Sequence, residues 1–177
     1  MMFKRLLTVL LFLFTSTGVY SQLGKIHYIP PIAKGDIGSD EVAVQHIYLT
    51  TPIEGTINAY IKPVGGTRLD WIPVSFSNNN PLDWPIPNDQ FTVNDNSAGK
   101  VSNKGYIIES SNVFYVNVRF NSSNEAQQGS FVSKGESAPG TEFRTAVAPN
   151  GTTTSTNIDF TAINFISIMA TEDNTLV

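Results

Sequence analysis

Lys104–Phe120 reads KGYIIESSNVFYVNVRF. In its second half Phe114, Val116, Val118 and Phe120 fall on one side of an extended chain, and Tyr115, Asn117 and Arg119 on the other. Successive side chains of a strand point to opposite faces, so this period of two marks a half-buried β-strand. Tyr106–Glu109 reads as a first arm and Val113–Phe120 as a second, with Ser110-Ser111-Asn112 as a short hairpin turn between them.

Toward the C-terminus, Gly129–Val177 reads as a strand, a Gly/Pro turn, a second strand, a polar loop and a long apolar strand closed by Thr171-Glu172-Asp173-Asn174. Ile163–Ala170 is apolar at nearly every position, which predicts a strand buried on both faces with the rest of the fold packed around it. Thr175-Leu176-Val177 looks like the start of a further strand, and the expectation is a fold incomplete at the C-terminus, part of a longer polypeptide.

Toward the N-terminus the same alternation recurs. Ile47 and Leu49 alternate with His46 and Tyr48; Ile57, Ala59 and Ile61 alternate with Asn58, Tyr60 and Lys62. Pro52–Gly55 between them reads as a hairpin loop. Arg68–Phe76 predicts a short edge strand because Pro73 interrupts it, and Asn78–Asn88, with three prolines, predicts irregular chain. Gln90–Val93 predicts a brief strand. Tyr28-Ile29-Pro30-Pro31-Ile32 predicts an extended edge segment or entry loop. No segment beyond the first 21 residues has a helical apolar period. The expectation is an all-β domain, an antiparallel β-sandwich of about eight or nine strands. A closed barrel is the lesser alternative, because Pro73 and Pro139 point to open edges.

Residues 1–21 read as a signal peptide and 22–177 as the domain. Lys4 and Arg5 precede the apolar run Leu6–Phe14, and Val19-Tyr20-Ser21 suits cleavage before Gln22. That run is too short to cross a hydrocarbon core of about 30 Å as a helix, so no transmembrane segment is expected in the mature chain. Removing Lys4 and Arg5 with the leader takes the formal charge from −4 to −6. No basic cluster remains, which argues against nucleic acid as a partner. The chain has no cysteine, so an exported form relies on sheet and core burial, and the absence of disulfides leans toward a bacterial source. Asn121-Ser122-Ser123 and Asn150-Gly151-Thr152 match the glycosylation pattern and read as unmodified loops in a bacterial protein.

The chemistry-bearing residues are few. His27 and His46 are the only histidines, on separate segments, and read as one surface and one strand residue rather than a metal pair. Glu109, Glu136, Glu142, Asp159, Glu172 and Asp173 are the candidate carboxylates a glycoside hydrolase would need in pairs, but Glu142 reads as solvent-facing beside Arg144 and Glu172 and Asp173 as turn residues. Asn94-Asp95-Asn96 and Glu172-Asp173-Asn174 are oxygen-rich loops without an ordered calcium-ligand spacing. Ser130, Ser133 and Ser137 lack a nucleophile elbow and an evident histidine partner. Trp71, Trp84 and Tyr60 are candidates for a carbohydrate platform; Trp84, among prolines, reads instead as a plug for the open end of the fold. Neither catalytic residues, nor a metal, nor a cofactor is expected.

Lys104–Phe120, Gly129–Arg144 (GSFVSKGESAPGTEFR) and Ile166–Val177 (ISIMATEDNTLV) resemble the N-terminal domain of the IgGFc-binding protein family, in the form found at the head of large surface proteins of gliding bacteria. Gly140-Thr141-Glu142-Phe143 and Ala170-Thr171-Glu172-Asp173-Asn174-Thr175 are its most distinctive parts; Tyr28–Ile32 and Ile47–Pro52 match loosely. The resemblance implies a secreted or cell-surface adhesion or binding domain, with an unknown surface protein or glycan as partner. It carries over no residue for antibody binding. The alternative expectation is a carbohydrate-binding module or an accessory domain of a carbohydrate-active enzyme.

Overall fold

The computed structural model describes residues 22–33, 42–93, 101–122, 128–142, 166–172 and 175. Within them lie nine strands: β1 (Gly24–Ile29), β2 (Ile32–Ala33), β3 (Val42–Thr50), β4 (Thr56–Pro63), β5 (Ile72–Ser77), β6 (Leu82–Pro85), β7 (Thr92–Val93), β8 (Tyr106–Ser122) and β9 (Gln128–Val132). Seven join in one antiparallel sheet, while β2 and β7 form a small parallel pair. The all-β antiparallel expectation holds.

The spine of the sheet is β8. Its first half is flanked by β1 and β4, so that Ile107 lies between Tyr28 and Lys62. Its second half is flanked by β3 and β9, so that Arg119 lies between His46 and Ser130. β5 extends the sheet beyond β4, and β6 extends it beyond β3. The sheet curls until β5 approaches β6, which leaves it nearly closed and barrel-like. Its two halves face each other across the core but are joined through β8.

Two expected hairpins are corrected by this topology. Ser110-Ser111-Asn112 is not a turn, because β8 runs unbroken through it. The inward parity continues across it: Tyr106, Ile108 and Ser110 are buried before it, and Phe114, Val116 and Val118 after it. The serine-rich stretch is a bulged corner. Gly24 and Ile26 of β1, two apart, face Phe114 and Glu109 of β8, five apart, so extra β8 residues bow out there. Bulges let one strand pass from one face of a sandwich or barrel to another. Ser110 Oγ donates to the Asn58 carbonyl at 2.7 Å and accepts the Asn112 N–H at 3.2 Å, which satisfies backbone groups that the bulge unpairs. Similarly, β3 and β4 do not pair across Pro52–Gly55. They run in the same direction along successive stretches of β8, with Thr51 Oγ1 donating to the Val113 carbonyl at the junction.

Alternation fills the core as the strands predict. Ile47 and Leu49, Ile57, Ala59 and Ile61, and Phe114, Val116 and Val118 are all buried. Phe76 of β5 meets Phe114 edge-on with ring centroids 5.8 Å apart. Trp84 of β6 turns inward and meets Tyr106 edge-on at 5.3 Å, which gives it the plugging role rather than a surface one. Burial pushes the Tyr106 phenol up to about 12, with the Asp89 carboxylate adding to the effect. Pro73 lies within β5, which pairs only with β4, so its missing N–H costs no ladder bond on the open side. Asn78–Asn88 is more regular than expected: β6 forms inside it, again at an edge where proline is tolerated, and a helical turn, Asn88–Phe91, follows.

Two glycines mark close approaches around β8. Gly105 enters the strand at φ +103°, and a Cβ there would sit 2.5 Å from the Ile29 carbonyl oxygen. Gly129 of β9 lies opposite Phe120, whose ring covers it so closely that a Cβ would fall 2.3 Å from Cζ. The described part of the apolar run expected to form the core lies elsewhere. Residues 166–170 belong to no strand, and Ile166 and Ile168 are 57% and 56% exposed. Both flanks of β8 are already filled by β1, β3, β4 and β9, so the core is built around Tyr106–Ser122. Ile163–Phe165, the first residues of the run, lie outside the described residues.

Candidate functional site

Inward packing of one parity leaves the other parity outside. On β3, Gln45, Ile47 and Leu49 point in and Val44, His46 and Tyr48 point out; on β8, Asn117, Arg119 and Asn121 point out. Register sets His46 beside Arg119 and Pro85, and Tyr48 beside Asn117 and Asp83. Val44, His46, Tyr48, Arg119 and Asn121 line a shallow groove of about 230 Å³.

The groups in it hold one another in place. Asp83 Oδ1 lies 2.5 Å from His46 Nδ1. A carboxylate only accepts, so Nδ1 carries the proton in that contact. The His46 and Tyr48 rings stack at 6.0 Å with 21° between their planes. The Arg119 guanidinium lies over the Tyr48 ring, 4.9 Å from its centroid, and Nε donates to Asn117 Oδ1 at 3.3 Å. Among the described residues no carboxylate pairs with Arg119. The face therefore presents a stacked cation, two amides, an imidazole and the exposed Val44.

The other expected positions are distributed around the fold. Tyr60 and Trp71 do meet on the outer face of the first half, with centroids 5.9 Å apart. Lys62 Nζ stands 3.9 Å from the Trp71 centroid and Arg68 Cζ 5.5 Å from it, so the chain's own cations cover that indole. Glu109 pairs with Lys62. Below the indole, Thr67 donates its N–H and hydroxyl to Asp70, and these bonds hold that carboxyl below its ordinary range. With Trp84 packed against the core, the three rings do not share a face.

Ser133 has the histidine partner that sequence did not reveal. His27, expected at a surface, is fully buried on β1; its Nε2 donates to the Phe114 carbonyl at 3.0 Å. Nδ1 is then an acceptor, and Ser133 Oγ donates to it at 3.0 Å while accepting the Gly135 N–H at 3.3 Å. Burial holds the imidazole below its ordinary value, against the opposing pull of the Phe114 carbonyl and the Glu136 charge. This dyad is enclosed, with every ring nitrogen and the hydroxyl engaged, so it acts as a latch that ties β1 to the chain leaving β9. Glu136 accepts the Lys25 N–H at 3.2 Å.

Ser130 is exposed on β9, and Ser137 Oγ donates to the Lys134 carbonyl at 2.6 Å. Glu142 is exposed. The Glu172 carbonyl accepts the Thr175 hydroxyl at 2.8 Å. Asn94-Asp95-Asn96, Asp159, Asp173 and Asn174 lie outside the described residues, as do residues 1–21 and Asn150-Gly151-Thr152. Among the described residues no three His, Cys, Asp or Glu side chains gather as a metal site would require, and no helix is long and apolar enough to cross a membrane.

Alternation alone pointed to His46, Tyr48, Asn117 and Arg119 as outward residues. Their convergence comes from the β3–β8 register. Compared with protein-family models, with curated proteins and with solved structures, the chain matches none of them significantly.

Proposed function

We propose that this protein is a non-enzymatic binding or adhesion module, exported by its N-terminal leader to the exterior or surface of a bacterial cell. The observation that carries this reading is the outer face of β3 and β8. There the accessible aromatic, cationic and amide groups are gathered on an open sheet surface, while the buried histidine and serine are spent on fastening the fold. Sheet faces that carry aromatic and arginine side chains suit macromolecular contact. The likeness of Lys104–Phe120, Gly129–Arg144 and Ile166–Val177 to the IgGFc-binding N-terminal domain supports the same reading. The separation of Trp84 from Tyr60 and Trp71 counts against a carbohydrate module that works by stacking sugars on those rings.

The test starts from protein secreted by a bacterial host, checked by mass spectrometry to begin at Gln22. It is screened against arrays of glycans and of extracellular proteins. Tyr48→Ala with Arg119→Ala should abolish the strongest interaction without altering the circular dichroism spectrum. Retained binding by that double variant, or an intact Met1 terminus, overturns the reading.

A further inference from the structure

We propose that the groove on β3 and β8 binds a uronic-acid residue of an acidic polysaccharide, with Arg119 gripping the sugar carboxylate. The proposal rests on the reading of this face as the contact surface and goes further by naming what it contacts. Four observations carry it. First, Arg119 is exposed and lacks a carboxylate partner among the described residues, in a chain of net charge −4. Lys62, a cation on the outer face of β4, is already paired with Glu109 and laid on Trp71.

Second, the guanidinium is oriented before any ligand arrives. It lies over Tyr48, and its Nε is held by Asn117, which leaves the terminal nitrogens for a planar acceptor. A carboxylate matches that fork with two parallel N–H···O bonds. Third, the neighbouring groups suit hydroxyls: His46, anchored through Nδ1 on Asp83, lines the groove, and the Asn121 amide both donates and accepts. Val44, 46% exposed, offers an apolar contact for the C–H edge of a pyranose. Fourth, a groove of about 230 Å³ is smaller than a drug-sized pocket and open along the sheet, which suits one residue of a polymer that continues beyond it. The Asp83 carboxylate beside this face is turned onto the His46 Nδ1–H.

Binding of the secreted protein to immobilised polygalacturonate, dextran sulfate and dextran, at low and at physiological salt, tests the proposal. The wild type should bind polygalacturonate, bind dextran sulfate at least tenfold more weakly, and ignore dextran. Arg119→Gln should weaken polygalacturonate binding at least tenfold, Arg119→Lys should restore part of it, and Lys134→Gln, which removes one positive charge elsewhere, should change it less than twofold. Equal binding to both anionic polymers, or an equal loss from Lys134→Gln, reduces the effect to bulk charge and overturns the proposal. Binding to a neutral glycan or a protein that Tyr48→Ala abolishes but Arg119→Gln spares would overturn the uronate while keeping the face as the contact surface. Indifference of all binding to every groove substitution overturns both.

Discussion

At the scale of single residues, the most constrained group is His27. Its ring is buried between Ser133 and the Phe114 carbonyl and lies 4.6 Å from the Phe114 ring, within reach of the Glu136 charge. Burial lowers its folded-state pKa below the ordinary 6.5 of the unfolded chain. Between those two values the unfolded state binds the proton and the folded state does not, so stability falls as pH drops below 6.5 and is unaffected by this group above it. Chemical denaturation at stepped pH should show that fall with a slope of at most about 1.4 kcal/mol per pH unit. Ser133→Ala leaves Nδ1 buried without its donor, a loss of about 1–3 kcal/mol at neutral pH. A flat stability profile below pH 6.5 in the wild type would contradict the latch. No sequence signal could have paired these residues, because 106 positions separate them and the contact exists only where β1 and the end of β9 meet beside Phe114.

At the scale of elements, alternation was a reliable guide within strands and a poor one between them. It placed Phe114, Val116 and Val118 inside and Asn117 and Arg119 outside, as the structure does. It failed at Ser110-Ser111-Asn112, since polar residues that favour turns are equally suited to a bulge where side-chain hydroxyls replace ladder bonds. That Tyr106 and Ile108 share the parity of Phe114, Val116 and Val118 was the available sign of a single strand. The same ambiguity affected Ile163–Ala170, because an apolar run says that burial is favourable, not which neighbour supplies it. Two substitutions separate the alternatives by urea denaturation. Phe114→Ala, at the centre of the core, should cost about 3–5 kcal/mol. Ile168→Ala, more than half exposed, should stay within about 0.5 kcal/mol. A cost for Ile168→Ala comparable to that for Phe114→Ala would restore the C-terminal run to the core.

At the scale of the molecule, a single strand shared by both halves makes them one cooperative unit. β8 supplies ladder partners to β1 and β4 on one stretch and to β3 and β9 on the next, so neither half keeps its hydrogen bonds if β8 detaches. The two tryptophans sit at different places: Trp71 precedes β5 beside the first half, and Trp84 lies on β6, paired with β3 of the second half, with its ring against Tyr106. Trp71→Phe and Trp84→Phe proteins, followed by fluorescence, should unfold at midpoints that coincide once each is compared with its own circular dichroism transition. Separate transitions would show two independent halves. The sequence by itself determined the strand class and the inward and outward faces of β3, β4 and β8, because a period of two is a property of the extended backbone and needs no partner. It also determined that Pro73 belongs at an edge, since a missing N–H is a local fact. Tertiary structure alone decided that β8 continues through its serines, that His27 meets Ser133, and that His46, Tyr48 and Arg119 form one groove. Each of these depends on pairing register between distant segments, which is settled by packing against the whole core and by which sheet edges remain free.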